Sequence, residues 1–214
     1  PWFGISSPVV HISTIMPFQL FLEASVAENR LMHRLLAQTT DRILQTLDAV
    51  LAHDPPVFAA WFGGSEQCTP PMMAPHAYDE FVEPYDGRII ERLHARGIPV
   101  HVHCHGKVRH ALQVMLRMGV ASTDPVEPPP AGDLSIAEAR AIVGDRMTLF
   151  GNLEWDELEQ CEPDHIRRRV GQIVDSGAHR LVLAASAGPI SAITPKLAAN
   201  YEAWIDEALK LGCG

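Results

Sequence analysis

Three histidines alternate along one predicted strand, at His101, His103 and His105 in the run PVHVHCH. Because successive strand side chains point to opposite faces, these three imidazoles share one face of the sheet. Neutral imidazole is the commonest protein ligand for zinc and similar metals. We therefore interpret His103 and His105 as metal ligands and His101 as a catalytic side chain. The alternative is three packed, hydrogen-bonded histidines with no metal.

Two carboxylates follow other predicted strands at the same end. Glu66 comes directly after a Gly-Gly-Ser turn and is a candidate general base or metal ligand, unless it only caps the next turn. Glu127 is flanked by prolines at the end of its strand, where an unpaired carboxylate would be costly, so we expect it in the pocket. We predict both to be catalytic. The predicted substrate pocket comprises Trp61, Gly64, Asn152, Glu154 and Ser186.

Short apolar runs alternate with helical patterns and would position these residues. The predicted strands are 8–15 (PVVHISTI), 57–63, 99–105, 120–126, 147–150 and 181–184. The predicted helices are 27–52, 78–96, 108–118, 136–142, 164–175 and 196–211. Six strands that alternate with helices predict an α/β protein with a parallel sheet.

Two architectures fit this pattern, an open doubly wound sheet and a barrel. A doubly wound nucleotide-binding sheet would have a glycine-rich turn after its first strand, whereas MPFQ follows the first predicted strand here. Polar residues instead follow nearly every strand, as in barrels whose active sites are built from βα loops. We therefore predict a (β/α)8 TIM-barrel type, as one domain over residues 1–214.

Composition narrows the class of partner. The chain has 214 residues, is 47% hydrophobic and has a formal net charge of −9, which disfavours nucleic acid and anionic membrane surfaces. No apolar run approaches the ~20 residues that span a bilayer, and no signal-peptide pattern is present. The dispersed cysteines predict free thiols in a reducing, cytoplasmic compartment; they are Cys68, Cys104, Cys161 and Cys213.

Three passages together resemble the uroporphyrinogen decarboxylase superfamily. They are residues 70–106 (PPMMAPHAYDEFVEPYDGRIIERLHARGIPVHVHCHG), 119–155 (GVASTDPVEPPPAGDLSIAEARAIVGDRMTLFGNLEW) and 181–209 (LVLAASAGPISAITPKLAANYEAWIDEAL). The resemblance covers residues 55–214 and implies an eight-stranded barrel longer than this chain. With six units visible, we expect the first two βα units to be absent through truncation or proteolysis. An open arc would then expose two edges and favour self-association or pairing with a missing N-terminal segment.

One branch of that superfamily consists of zinc methyltransferases with a His-x-Cys-Gly motif at this strand end. By resemblance, His103 takes the histidine position and His105 the cysteine position. The branch's last cysteine position falls near Ser186 or Ala187, neither a zinc ligand, so the substitutes would be Glu66, Cys68, Glu127 or Glu154. The resemblance implies Zn²⁺ or another divalent metal. It also implies methyl transfer from a small methylated substrate to a thiol or a corrinoid, the latter carried by a corrinoid protein.

The decarboxylase branch needs no cofactor. Its members use arginines near the chain start, an aspartate, and a histidine in the last glycine turn, where Ala187 stands here. A genuine uroporphyrinogen decarboxylase is therefore not expected. The alternative function is decarboxylation of another carboxylated small molecule, with the histidines as proton donors. A third alternative is a non-catalytic binding module, if six units are the whole protein.

Overall fold

The computed structural model of the chain describes residues 2–188 and 192–212. Six strands form one sheet whose spatial order follows the chain order and whose neighbours are all parallel. The strands are β1 (Trp2–Ser6), β2 (Ala59–Gly63), β3 (Val100–His103), β4 (Ser122–Asp124), β5 (Thr148–Phe150) and β6 (Leu181–Val182). A doubly wound sheet would reverse its strand order, so the sequential order confirms the (β/α)8 type.

Ten helices connect or cover these strands within the described ranges. They are α1 (Pro8–Thr14), α2 (Phe18–Ala27), α3 (Asn29–Leu51), α4 (Ala77–Phe81), α5 (Glu83–His94), α6 (Arg109–Met118), α7 (Ile136–Val143), α8 (Trp155–Gln160), α9 (Pro163–Asp175) and α10 (Pro195–Lys210). The predicted helix over 78–96 is broken at Val82, after which α5 begins at Glu83 with Pro84 in its first turn. Three helices were not predicted: α2 and α8, for which no element was expected, and α1, for which a strand was expected.

The prediction of a strand over residues 8–15 is wrong, because this segment forms α1. The Ser7 side chain accepts a hydrogen bond from the Val9 backbone N–H, and Pro8 occupies the first helical turn. A serine cap followed by proline favours a helix start over the β preference of the Val-Val run. The first strand is β1 instead, and it is followed by Ser7 and not by a glycine-rich turn.

Helices pack against the sheet, and its central strands are the most buried. Ala60, Phe62, Val100 and Val102 share one buried face of β2 and β3, and one contiguous core joins them to the helices. On the other face of these strands His101 is buried, whereas Trp61 is 38% exposed. The same packing fixes the carboxyl ends of the strands, called the rim below, where the polar residues lie.

Three further observations concern membrane-spanning helices, the cysteine thiols and the edges of the sheet. Among the described residues no single helix could cross a membrane, although α1 and α2, bent by 119° relative to each other, meet the length and composition criteria as a pair. Cys68, Cys104 and Cys161 are free thiols, and Cys213 lies outside the described residues. Strands β1 and β6 end the described sheet, and self-association through them stays a prediction.

Candidate active site

The register between β3 and β4 places a polar side chain beside each strand histidine. His101 lies opposite Ser122, and His103 lies opposite Asp124. Because both strands run in the same direction, their carboxyl ends reach the rim together. The site is therefore assembled from adjacent strands, with imidazoles on β3 and a carboxylate on β4.

Asp124 joins two of the three histidines. Its Oδ1 lies 2.8 Å from His101 Nε2 and 3.0 Å from His103 Nδ1. Burial alone would raise the pKa of Asp124, but the hydrogen bonds and charges of the two imidazoles outweigh it and hold that pKa well below its ordinary value. Asp124 is thus an ionised carboxylate that fixes both rings.

His101 has no free ring nitrogen. Its Nδ1 lies 2.8 Å from Ser122 Oγ while its Nε2 is held by Asp124, and the side chain is buried. This residue orients Asp124 and hence His103. The predicted catalytic contact of His101 with substrate would require breaking one of these bonds.

His105 is held by the second carboxylate, Glu127. Its Nδ1 lies 3.0 Å from Glu127 Oε1, and Glu127 Oε2 accepts a 2.7 Å hydrogen bond from the Gly106 backbone N–H. The hydrogen bond to Glu127 raises the pKa of His105 despite partial burial, with added effect from the charges of Glu127, Glu66 and Asp124. The structure therefore pairs Glu127 with His105, as a pocket role for that glutamate requires.

The two outer histidines lie side by side at the rim. The ring centroids of His103 and His105 are 4.7 Å apart with the planes at 85°, and Trp61 stacks on His103 at 5.5 Å. Each outer histidine uses Nδ1 for a carboxylate, which leaves Nε2 for other chemistry. Trp61 is thus a neighbour of the site, and its contact with substrate stays a prediction.

Glu154 extends the cluster to the ends of β5 and β6. Its Oε2 accepts a 3.0 Å hydrogen bond from Ser186 Oγ, which itself accepts one from the Trp155 backbone N–H. Burial raises the pKa of Glu154 to about 7, because the Ser186 hydroxyl offsets it only in part and Glu127 adds repulsion. Within the described chain Glu154 Oε1 is buried without a hydrogen-bond partner.

Comparison with known proteins gives the family. The uroporphyrinogen decarboxylase (URO-D) family model matches residues 3–208. This chain belongs to the uroporphyrinogen decarboxylase family. Uroporphyrinogen decarboxylases from two strains of Aliivibrio fischeri are each 25% identical over 182 residues, 82% of this chain and 47% of the relative. The chain thus spans about half the length of the curated relatives it matches.

A solved structure supports the fold of this URO-D chain. A methyltransferase from Methanosarcina mazei superposes with a TM-score of 0.76 at 20% identity, over 99% of this chain and 58% of that protein. At that identity the likeness concerns the fold, which is part of a (β/α)8 barrel. The family-model match over residues 3–208 confirms the predicted superfamily.

The potential metal ligands of this URO-D chain do not match the zinc site expected by resemblance to the methyltransferase branch. Among residues 2–188 and 192–212, no three His, Cys, Asp or Glu side chains are grouped so that they could hold one ion. His103 and His105 supply two free nitrogens, whereas a catalytic zinc site takes three protein ligands. The alternative ligand Cys68 is fully buried, and its burial raises the pKa of its thiol well above the ordinary value. The described residues therefore do not form a complete zinc site.

Three further residues predicted for the site, Glu66, Gly64 and Asn152, make no hydrogen bond to the histidine side chains described above. Glu66 lines a cavity beside His105. Gly64 packs against β3, where its N–H donates to the His103 carbonyl oxygen at 2.6 Å and a Cβ would overlap that oxygen. Asn152 is buried, with its Nδ2 3.4 Å from the Leu134 carbonyl oxygen. These contacts fix the positions of Gly64 and Asn152, and the predicted contacts of Gly64, Asn152 and Glu66 with substrate stay predictions.

The sequence prediction missed Asp124 and Ser122. Both lie in β4, whose sequence is STD, and they are two residues apart, as His101 and His103 are in β3. The signal that could have found them is that alternation on a neighbouring parallel strand, since it predicts which side chains share a face. Only the register, which the sequence does not specify, pairs each with a particular histidine.

Proposed function

We propose that this chain belongs to an enzyme that transfers a methyl group from a small methylated substrate to a thiol, or to a corrinoid, at the rim of its barrel. The observation that supports the proposal is the pair of outer histidines, each with Nδ1 on a carboxylate and Nε2 free. A carboxylate on Nδ1 fixes the tautomer with its lone pair on Nε2, which suits proton abstraction.

In this proposal His105 acts as the base for the acceptor thiol. Nε2 takes the thiol proton, the sulfur forms a bond to the methyl carbon, and the bond from that carbon to its leaving atom breaks with the electron pair on the leaving atom. Glu127 stabilises the imidazolium that forms, since it lies 3.0 Å from the opposite ring nitrogen. Asp124 and His101 hold the neighbouring His103 in place.

A divalent metal remains a separate proposal. His103 and His105 would each contribute one nitrogen, and their carboxylate partners are of the kind that orients metal-binding histidines. A further ligand would have to come from outside the described residues. Calorimetric titration with ZnCl₂ tests this: binding in the wild type and not in His103→Ala/His105→Ala supports two-histidine ligation.

The experiment for methyl transfer uses ¹³C-methyl donors with 2-mercaptoethanol or reduced cobalamin as the acceptor. We expect an S-¹³CH₃ or Co-¹³CH₃ signal by NMR with the wild type. The S-¹³CH₃ signal, whose formation needs a base for the thiol, should be lost in His105→Gln and kept in His179→Gln, which removes an exposed histidine. Absence of transfer from every donor class, with and without added ZnCl₂, would contradict the proposal.

A second candidate is decarboxylation, favoured by proton-holding groups at the rim, since the pKa of His105 is raised and that of Glu154 is about 7. There the bond to the carboxyl carbon would break, CO₂ would leave, and His105 Nε2–H would protonate the carbanion. Exposed Lys107, two residues after His105, is a cation that could meet a substrate carboxylate.

The pH profile separates the two candidates. A base must be deprotonated, so methyl transfer should rise as pH increases through the raised pKa of His105. An acid must be protonated, so decarboxylation should fall over the same interval. CO₂ release from carboxylated compounds, uroporphyrinogen included, with a falling limb would favour the second candidate. Neither reaction would favour a binding module.

A further inference from the structure

A cavity of about 270 Å³ opens beside His105. Its apolar lining comes from Phe18 on α2 and from the loop after β2, with Pro70, Pro71 and Met72. Its polar lining includes Glu66, Gln67 and His105. The sequence did not predict this cavity, because α2 and the loop after β2 meet only in the folded chain.

The floor of the cavity is held in place by hydrogen bonds. Thr69 Oγ1 lies 2.7 Å from the Glu66 carbonyl oxygen and 3.3 Å from the His105 carbonyl oxygen, so it joins the loops after β2 and β3. Gly106 has a φ of +96°, and a Cβ there would lie 2.9 Å from Thr69 Oγ1. Glycine is required at this point of close approach. The cavity is therefore a formed pocket.

The charge of the pocket favours a cation. No lysine or arginine is among the residues that line it, and Glu66 contributes a carboxylate. The charged groups that act on His105 are Glu127, Glu66 and Asp124, all acidic. An anionic ligand would meet these carboxylates, whereas a cation would be attracted by them.

The size and lining favour a compact, methyl-bearing ligand. Ligand pockets usually have about 300–1,000 Å³, so this cavity of about 270 Å³ lies just below that range and is too small for a tetrapyrrole. Phe18 and Met72 are 39% and 51% exposed, so they offer an aromatic ring and a thioether to a ligand. Aromatic rings attract quaternary ammonium groups through the cation–π interaction.

We propose that this pocket binds a small methylated ammonium cation, with Glu66 opposite the charge and Phe18 and Met72 against the methyl groups. The inference deepens the proposed function and rests on it in one respect, because the bound cation would be the methyl donor beside His105. Binding itself does not depend on any acceptor.

The test compares choline with 3,3-dimethylbutan-1-ol, a neutral molecule of the same shape, by ligand-observed NMR titration. We expect choline to bind about tenfold more tightly, since charge attraction and the cation–π interaction together amount to about 1–2 kcal/mol. Glu66→Gln should reduce the difference several-fold by removing the charge attraction, and Phe18→Leu should weaken choline several-fold. Glu23→Gln, which removes an exposed carboxylate from the same helix as Phe18, should change neither ligand.

The neutral isostere also reports on folding, because a variant that still binds it retains the pocket. Equal affinity for the two molecules, or tighter binding of acetate than of choline, would overturn the inference. Methyl transfer from a neutral donor without choline binding would overturn the ammonium-binding pocket and leave the proposed methyl transfer intact. Choline binding without transfer to any acceptor would support the inference and count against the proposed function.

Discussion

Two aspartates near the rim lie in different environments and have opposite protonation states. Asp124 at the end of β4 is held by two imidazoles, and its pKa is well below the ordinary value. Asp86 on α5 is buried, accepts a 2.8 Å hydrogen bond from Ser7 Oγ, and has its pKa raised to about 8 by burial. Ser65 Oγ donates to Ser7 at 2.6 Å. A hydroxyl provides only a hydrogen bond, whereas an imidazole can also provide a positive charge.

Glu154 resembles Asp86, because its hydrogen-bond partner is also a hydroxyl. Its partner is the hydroxyl of Ser186, and its pKa is about 7, on the side of Asp86 and not of Asp124. The comparison teaches that exposure and partner together set the charge of a carboxyl, since Asp124 is partly exposed and paired with imidazoles, whereas Asp86 is buried with a hydroxyl partner. The imidazole-paired carboxylates lie at the proposed reaction centre, where charge is needed.

The largest effect is expected for Asp86→Asn. Between the ordinary carboxyl pKa of about 4 and the folded value of about 8, the folded chain holds a proton that the unfolded chain has lost. The free energy of unfolding therefore falls by about 1.4 kcal/mol per pH unit over that window through this group. Asp86→Asn removes this dependence and should be more stable than the wild type by about 2–4 kcal/mol near pH 8.

Urea unfolding at several pH values between about 5 and 8 measures this difference. The advantage of Asp86→Asn should shrink as pH falls toward the ordinary carboxyl range. Asp41→Asn is the matched control, because Asp41 is exposed and paired with Arg88. Parallel stability curves for wild type and Asp86→Asn would mean that Asp86 is ionised in the folded state.

Asp124→Asn should have the opposite sign. At neutral pH we expect a loss of about 1–3 kcal/mol in the free energy of unfolding, because two imidazoles lose a charged acceptor. The pKa of Asp124 is lowered by folding, so its stabilisation is present above the ordinary carboxyl pKa and lost as pH falls through the folded value. The curves of wild type and Asp124→Asn should converge in acid. A variant as stable as the wild type at neutral pH would remove the contrast with Asp86.

The smallest effect is expected for Ser186→Ala. Loss of the hydroxyl removes the hydrogen bond that lowers the pKa of Glu154, so that pKa should rise by about half a unit to one unit. ¹³C NMR of the glutamate side chains measures it, with Glu154→Gln to assign the resonance. Ser176→Ala, which removes a hydroxyl bonded to a helix carbonyl, should leave the resonance unchanged. A fall in the pKa would show that the Ser186 hydroxyl does not stabilise the ionised form of Glu154.

Much of this fold could be predicted from the sequence. The strands after the first lie within a few residues of their predicted ranges, because their apolar runs and bounding turns are local signals. The shared face of His101 and His103 follows from strand alternation alone. Residues 8–15 were mispredicted because Val-Val-x-Ile favours a strand by composition, whereas the Ser7 cap and Pro8 determine the helix.

The protonation states could not be predicted, because they depend on partners that are distant in the chain. Asp86 and Ser7 are 79 positions apart, and His105 and Glu127 are 22 apart. The cavity beside His105 likewise depends on α2, a helix that was not predicted. Sequence patterns predict which face a side chain occupies, and tertiary packing decides what it contacts there.

The pairing of His101 with Ser122 and of His103 with Asp124 has a consequence for folding fidelity. A slip of one residue between β3 and β4 would bring Thr123, whose hydroxyl now bonds the Val102 carbonyl oxygen, toward the histidine face and turn Asp124 into the apolar layer. A misaligned molecule would therefore bury an unpaired carboxylate and leave two imidazoles without an acceptor. The contacts of His101 with Ser122 and of His103 with Asp124 therefore also favour the correct register of β3 and β4.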